Sequence, residues 1–267
     1  MKKLLLSAFV ICLAGTSIAQ ESPLWMRHCA LSPDGTTIAF TYKGDIYTVP
    51  STGGRATQIT TNPAFDTEPV WSPDSKQIAF ASDRMGSLDV FVVSSEGGAP
   101  QRLTTHSGSE KPVAYKDNKH ILFTANIAPS AEDAGFPSGQ FQQVYEVAVT
   151  GGRPAMFSSM PMECISINKE GVMLYQDKKG YEDYWRKHQV SPIARDIWTY
   201  TPGKKPVYQK QTTFGGEDRE PVWSPDGKSF YYLSEEKGSF NIFQRTPGTT
   251  TSQQITFHTK HPVRFLS

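Results

Sequence analysis

Three short stretches decide the fold: Ser32-Pro33-Asp34-Gly35, Ser72-Pro73-Asp74-Ser75 and Ser224-Pro225-Asp226-Gly227. Each predicts a tight turn, because proline presets φ at the second position and aspartate is readily accommodated at the third. Two weaker copies, Lys116-Asp117-Asn118 and Asn168-Lys169-Glu170-Gly171, lie between the second and third stretches. A period of about 40 residues or more indicates an internal repeat.

The segments around the turns repeat as well. A first strand such as Glu68-Pro69-Val70-Trp71 precedes the turn, and a second such as Thr37-Ile38-Ala39-Phe40 follows it. A third strand such as Asp45-Ile46-Tyr47-Thr48-Val49 comes next, and a glycine pair such as Gly53-Gly54 leads into a fourth that ends in Gln58-Ile59-Thr60. Four short antiparallel strands per unit of about 40 residues are typical of a β-propeller blade.

The blade interpretation also explains the hydrophobic core. A four-stranded sheet that is apolar on both faces buries them only by stacking between neighbouring sheets. We therefore expect an all-β fold, a β-propeller of four-stranded antiparallel blades, in which Trp71 and Trp223 pack between blades. A sandwich does not explain the repeat, and a solenoid normally has shorter and more uniform coils.

The repeat predicts one propeller domain over residues 20–267. Its five blades are expected near residues 28–62, 68–106, 111–159, 163–213 and 220–257. His261-Pro262-Val263-Arg264 repeats the first-strand pattern, so a partial sixth blade is expected at residues 261–267. A propeller closes into a ring to hide its edge strands, and this incomplete ring predicts a fragment or a truncated gene product.

The N-terminus has the features of a signal peptide. Lys2 and Lys3 precede the apolar run from Leu4 to Ala14, and Ser17 and Ala19 supply small residues at a cleavage site. The apolar run is short for a membrane anchor. The sequence therefore predicts removal of residues 1–19 by cleavage after Ala19, and export to the periplasm or the exterior.

Charge and cysteine content narrow the function classes. The formal net charge is +1, which gives no electrostatic reason to expect nucleic acid or an anionic membrane as partner. Beyond the signal peptide only Cys29 and Cys164 remain, too few for a disulfide framework. Their expected places on the inner strands of blades one and four, on opposite sides of the ring, predict that they stay unpaired.

Two insertions interrupt the repeat, at residues 128–142 in the third blade and 181–194 in the fourth. Long loops on a rigid scaffold often carry function. The second insertion mixes charged and aromatic side chains, which suits an interface with a peptide or a domain; a solvated surface loop is the alternative. The candidate interface residues are Tyr181, Glu182, Trp185, Arg186 and His188.

No motif for catalysis or cofactor binding was found. The sequence has neither a Gly-x-Ser-x-Gly elbow nor a His-Glu-x-x-His pair, and its six histidines are scattered. The glycine pairs sit in predicted hairpins, not before helices, so they do not form a phosphate-binding loop. We therefore assign this chain no catalytic residue, no cofactor and no metal site.

Several motifs resemble the start of tricorn-type serine peptidases. They include Pro23-Leu24-Trp25-Met26-Arg27, the segment from Lys179 to His188, Ala194-Arg195-Asp196-Ile197-Trp198 and the terminal segment from His261 to Ser267. TolB-like and prolyl-oligopeptidase-type propellers share the Ser-Pro-Asp-Gly repeat. The motif from Lys179 to His188 in the insertion favours tricorn.

The resemblance implies a non-catalytic propeller module of an exported tricorn-like serine peptidase. Such a module admits or positions peptide or protein substrate for PDZ and peptidase domains downstream in the same full-length chain, which would carry out proteolysis. Two alternatives remain: a TolB-like periplasmic protein-binding scaffold without enzyme activity, and the propeller of a prolyl-oligopeptidase-type hydrolase. Assembly into a homo-oligomer is left open.

Overall fold

A computed structural model describes residues 26–127, 141–180 and 190–267. These residues form twenty β-strands in five four-stranded sheets. Blade 1 contains β1 (Arg27–Leu31), β2 (Thr37–Tyr42), β3 (Asp45–Pro50) and β4 (Thr57–Gln58). Blade 2 contains β5 (Asp66–Trp71), β6 (Gln77–Ser82), β7 (Asp89–Ser94) and β8 (Gln101–Arg102). Blade 3 contains β9 (Lys111–Asp117), β10 (His120–Ala125), β11 (Gln143–Ala148) and β12 (Ala155–Ser158). Blade 4 contains β13 (Met162–Ile167), β14 (Met173–Asp177), β15 (Ile197–Thr201) and β16 (Val207–Lys210). Blade 5 contains β17 (Asp218–Trp223), β18 (Phe230–Ser234), β19 (Asn241–Arg245) and β20 (Ser252–Gln254).

Within each blade, the strands pair antiparallel in chain order. This confirms the predicted all-β propeller with five four-stranded blades. Residues 261–267 form no strand among the described parts of the chain, and the partial sixth blade stays a prediction. The described residues include no helix that is long and apolar enough to cross a membrane.

The Ser-Pro-Asp-Gly turns are held by their own side chains. Ser32 Oγ donates to Asp34 Oδ1 at 2.6 Å and accepts the backbone N–H of Thr37 at 3.0 Å. The turns at Ser72 and Ser224 repeat this arrangement. The serine and aspartate of the motif therefore set the geometry of the first hairpin in these blades.

The core lies between the blades, as predicted. Four clusters of buried apolar side chains fill the successive interfaces, and the interface of blades 1 and 2 contains Ile46, Ile78 and Phe80. Trp71 packs there and donates its Nε1–H to the carbonyl of Ala30 at 2.9 Å. Trp223 contacts blade 4 in the same way, through the carbonyl of Val172 at 3.1 Å.

A threonine after the fourth strand caps the third strand in four blades. The backbone N–H groups of Ile46, Val90, Ile197 and Ile242 donate to the side-chain oxygens of Thr60, Thr104, Thr212 and Thr256, respectively. These bonds are 2.9 or 3.0 Å long. The threonine that ends the repeated Gln-Ile-Thr pattern and its variants therefore fastens the fourth strand to the third in these four blades.

The antiparallel order gives the propeller two distinct ends. One end, here called the turn end, carries the Ser-Pro-Asp-Gly turns and the glycine hairpins. The other, the loop end, carries the connections between second and third strands and the links between blades. The insertions lie between β10 and β11 and between β14 and β15, so both belong to the loop end.

Candidate functional site

The first strand of each blade lies nearest the propeller axis. β1 contacts β5, β5 contacts β9, β9 contacts β13 and β13 contacts β17, which lines them up around the centre. The short fourth strands lie farthest out and are largely exposed. The first strands therefore form the wall of the central channel.

A β-bulge interrupts four of these inner strands at equivalent positions. The bulged residues His28, Glu68, Cys164 and Glu220 have φ between 50° and 55°, in the left-handed region. A bulge re-aims a side chain, and such strained backbone clusters at functional sites. Together with Lys111 at the start of β9, these four residues are called the channel ring below.

The first half of the channel ring is a charged group. Lys111 Nζ lies 2.7 Å from Glu68 Oε1, so the pair joins the inner strands of blades 2 and 3. Next to it, surrounding protein lowers the pKa of His28 by desolvation, and Lys111 acts in the same direction against the attraction of Glu68. At neutral pH this part of the wall therefore presents one ion pair and a neutral imidazole.

The other half of the ring carries a thiol and a carboxyl group. Cys164 is free and solvent-exposed, but the protein around it raises the pKa of its thiol. Cys29 is free as well, which confirms the predicted unpaired state of both cysteines. Burial raises the pKa of Glu220 to about 7, although the backbone N–H of Leu266 donates to its Oε2 at 2.8 Å. The charge of this half is therefore sensitive to pH near neutrality.

The five residues predicted as an interface in the fourth blade, Tyr181, Glu182, Trp185, Arg186 and His188, lie outside the described residues. The base of that insertion is described, and it is firmly anchored. Lys179 pairs with Asp196 and with Asp177, the latter at 3.6 Å. A Cβ on Gly180 would come within 3.1 Å of Ile193, so the two ends of the insertion pack closely. The fold therefore fixes the two described ends of the insertion at the loop end.

A polar network connects this base with the channel ring. The Arg195 guanidinium lies 3.2 Å from Glu163 and 3.3 Å from Glu217. Gln176 Nε2 donates to Glu163 at 2.9 Å, and its Oε1 accepts the backbone N–H of Glu220 at 2.8 Å. The side chains that support the insertion thus also position a residue of the channel wall.

The described residues contain no group of three or more histidine, cysteine, aspartate or glutamate side chains placed to hold a metal ion. The sequence did not reveal the channel ring, because backbone φ is not visible in it. The recurring Glu-Pro at Glu68 and Glu220 was the available signal, but Lys111 and Cys164 depart from that pattern.

Comparison with known proteins places the chain in a family. Residues 23–267 match the tricorn protease N-terminal beta propeller domain. The chain is 39% identical over 213 residues to tricorn protease homolog 1 of Streptomyces coelicolor, across 79% of this chain and 19% of that protein. It spans only this small part of its relative.

Solved structures agree on the fold. The crystal structure of the tricorn protease superposes with a TM-score of 0.72 at 17% identity, over 90% of this chain and 23% of that one. TolB from Acinetobacter baumannii superposes with a TM-score of 0.59 at 18% identity, over 83% and 51% of the two chains. On the strength of the match over residues 23–267, the chain belongs to the tricorn protease N-terminal β-propeller family.

Proposed function

We propose that this chain is the non-catalytic propeller of an exported tricorn-like serine peptidase, and that it admits or positions peptide substrate for a catalytic domain elsewhere in the full-length protein. The observation that carries the proposal is the channel ring, four of whose five polar side chains stand on strained bulges of the inner strands. Family membership supports association with PDZ and peptidase domains. The supported base of the blade 4 insertion suits a contact at the loop end.

Cys164 offers a direct test, because its thiol is exposed on the channel wall. In the full-length protein with Cys29→Ser, a bulky maleimide on Cys164 should narrow the channel; because the raised pKa slows the reaction, labelling is done at alkaline pH and its completion is checked by mass spectrometry. We expect labelled protein to lose most cleavage of long unstructured peptides, while cleavage of a short fluorogenic peptide at the catalytic domain continues.

The matched control carries the same label elsewhere. Ser94 is exposed at the end of β7 on the turn side, so Ser94→Cys in a Cys29→Ser/Cys164→Ser background places the maleimide away from the ring. An equal loss of long-peptide cleavage in both labelled proteins, or no loss of it in the protein labelled at Cys164, would contradict substrate passage past the channel ring. A full-length protein without hydrolytic activity would favour the TolB-like scaffold, and a serine labelled in an α/β-hydrolase domain would favour the prolyl-oligopeptidase type.

A further inference from the structure

Acidic residues meet at three of the junctions between blades, and all of them except the half-buried Asp45 are buried. In each case an aspartate at the start of a third strand faces the acid that begins the next blade. The pairs are Asp45 with Asp66, Asp89 with Glu110, and Asp196 with Asp218. The second acid of each pair also donates its backbone N–H, at 2.7 to 3.1 Å, to the residue just before the first acid; these acceptors are Gly44, Leu88 and Arg195. The junction of blades 3 and 4 has Gln143 and Met162 at these positions.

Lysine and arginine residues pair with only one acid at two of these junctions. Arg102 lies 2.9 Å from Asp89, and Lys210 lies 2.8 Å from Asp196, which also pairs with Lys179. The opposing acids, Glu110 and Asp218, are both 1% exposed. A buried carboxylate without a close basic partner is costly, and the neutral acid is the favoured form.

The surroundings of Asp218 are predominantly acidic. Asp196 and Glu236 oppose its ionisation, while hydroxyl groups of Thr212 and Ser234 favour it. Its Oδ1 has no hydrogen-bond partner among the described residues. The basic side chains near Asp218 pair with other acids. Lys179 and Lys210 pair with Asp196, and Lys237 pairs with Glu236. Arg195 pairs with Glu163 and Glu217, and Glu235 accepts the backbone N–H of Glu217. Arg219, the next residue on β17, lies over the Phe240 ring. Burial raises the pKa of Asp218 to about 7.

Glu110 occupies the corresponding place between blades 2 and 3. Neither carboxylate oxygen has a hydrogen-bond partner of good geometry within the described part of the chain. Burial raises its pKa and Asp89 adds to this, whereas Thr104, the His106 backbone and Arg102 act in the opposite direction. The His106 ring lies 3.8 Å from Glu110 Oε1.

We propose that the pairs Asp89–Glu110 and Asp196–Asp218 are proton-controlled clamps, which hold neighbouring blades together more tightly in mildly acidic than in alkaline solution. In the acidic form the second carboxyl group is neutral, and the two acids no longer repel each other across the junction. At higher pH both are charged in a buried site. Because Asp218 lies on the same strand as Glu220, the clamp of blades 4 and 5 acts directly on the channel wall.

The sign of the effect follows from proton binding. Between about pH 4 and about pH 7 the folded chain holds a proton on Asp218 that the unfolded chain has released. This contribution to stability is therefore complete below about pH 4 and is lost as pH rises to about 7. On this basis Asp218 alone raises the unfolding equilibrium constant on the order of tenfold or more from about pH 5 to about pH 7.5.

The test is urea denaturation of the chain across this pH range, compared with Asp218→Asn. The amide is nearly isosteric and cannot ionise, so we expect the variant to lose the share of the pH-dependent fall in stability that Asp218 supplies, while Glu220 and Glu110, whose pKa values are raised as well, keep the remainder. Asp226→Asn is the matched control, because Asp226 is an exposed aspartate in the same blade whose pKa is lowered by Ser224. Asp226→Asn should show the same fall in stability with rising pH as the wild type.

A second measurement keeps the proposal testable if Asp218→Asn does not fold. Carbon-13 NMR of labelled aspartate and glutamate side chains in the wild type should show Asp218 and Glu110, as well as Glu220, titrating above the usual range, and the Glu110 signal should disappear in Glu110→Gln. Ordinary titration of Asp218 and Glu110, or an unchanged pH dependence in Asp218→Asn, would overturn the proposal.

Discussion

Residues other than glycine adopt positive φ both in the turns and along the channel, and the strained backbone serves a different purpose in each place. In the turns the left-handed position is glycine at Gly35 and Gly227, but serine at Ser75, where φ is 61°. Along the channel the same conformation occurs at His28, Glu68, Cys164 and Glu220. In the turns strain serves chain reversal, for which glycine is better suited; in the channel it places side chains, which glycine lacks.

Ser75→Gly should therefore stabilise the protein by up to about 1 kcal/mol, since an L-residue in left-handed backbone costs about 1–2 kcal/mol. The weak bond from the Asp34 N–H to Ser75 Oγ, 3.3 Å long and exposed, offsets part of the gain. Gly35→Ala should destabilise the protein by about 1 kcal/mol, because alanine is strained in left-handed backbone. No atom lies within 4 Å of an added Cβ, so no steric clash adds to this cost. Urea midpoints compare the two, and a loss of stability in both variants would refute the strain argument.

Ion pairs next to the blade junctions stabilise the packing of each blade against its neighbour. Asp66 is fully buried at the start of β5, and Arg84 Nη2 donates to both of its oxygens at 3.0 Å. The Arg84 guanidinium also lies 4.5 Å from the centre of the Phe91 ring. Arg84 thus joins the loop after β6 to the start of the blade and covers an aromatic side chain of β7.

Arg84→Met should reduce the free energy of unfolding by about 3 kcal/mol, because it leaves the Asp66 carboxylate buried without its partner. Adding Asp66→Asn should restore much of the loss, since the unpaired charge is then gone. Thermal denaturation of the two single variants and the double variant measures this coupling. If the loss of stability in the double variant equals the sum of the losses in the two single variants, Arg84 and Asp66 do not interact with the strength proposed here.

The sequence allowed the blades, the turns and the interblade tryptophans to be predicted, because each depends on residues that recur at a regular spacing. The contacts between blades were harder to predict from the sequence. Asp34 meets Ser75 and Asp74 meets Asn118 only after two blades have stacked. Glu68 pairs with Lys111, but glutamate recurs around the ring only at Glu220 and lysine does not recur, so no repeating pattern predicts the pair. Residues 181–188, the predicted interface, lie outside the described chain, so their role stays a prediction.

For the molecule as a whole, export is the first expectation that experiment can settle. The small residues Ser17 and Ala19 predict cleavage that leaves Gln20 at the N-terminus. Mass spectrometry of the N-terminal peptide from protein made in its native host measures this. Protein that retains Met1 in the cytoplasmic fraction would contradict export.

The central claim is that peptide contacts the inner strands on its way to a catalytic domain. Photo-cross-linking tests this most directly, with a long unstructured peptide that carries a benzophenone group and the full-length protein with its catalytic serine replaced. We predict cross-links concentrated on the inner strands β1, β5, β9, β13 and β17, near the channel ring, and their competition by unlabelled peptide. Cross-links confined to the outer strands β4, β8, β12, β16 and β20, or none in this propeller, would contradict the account.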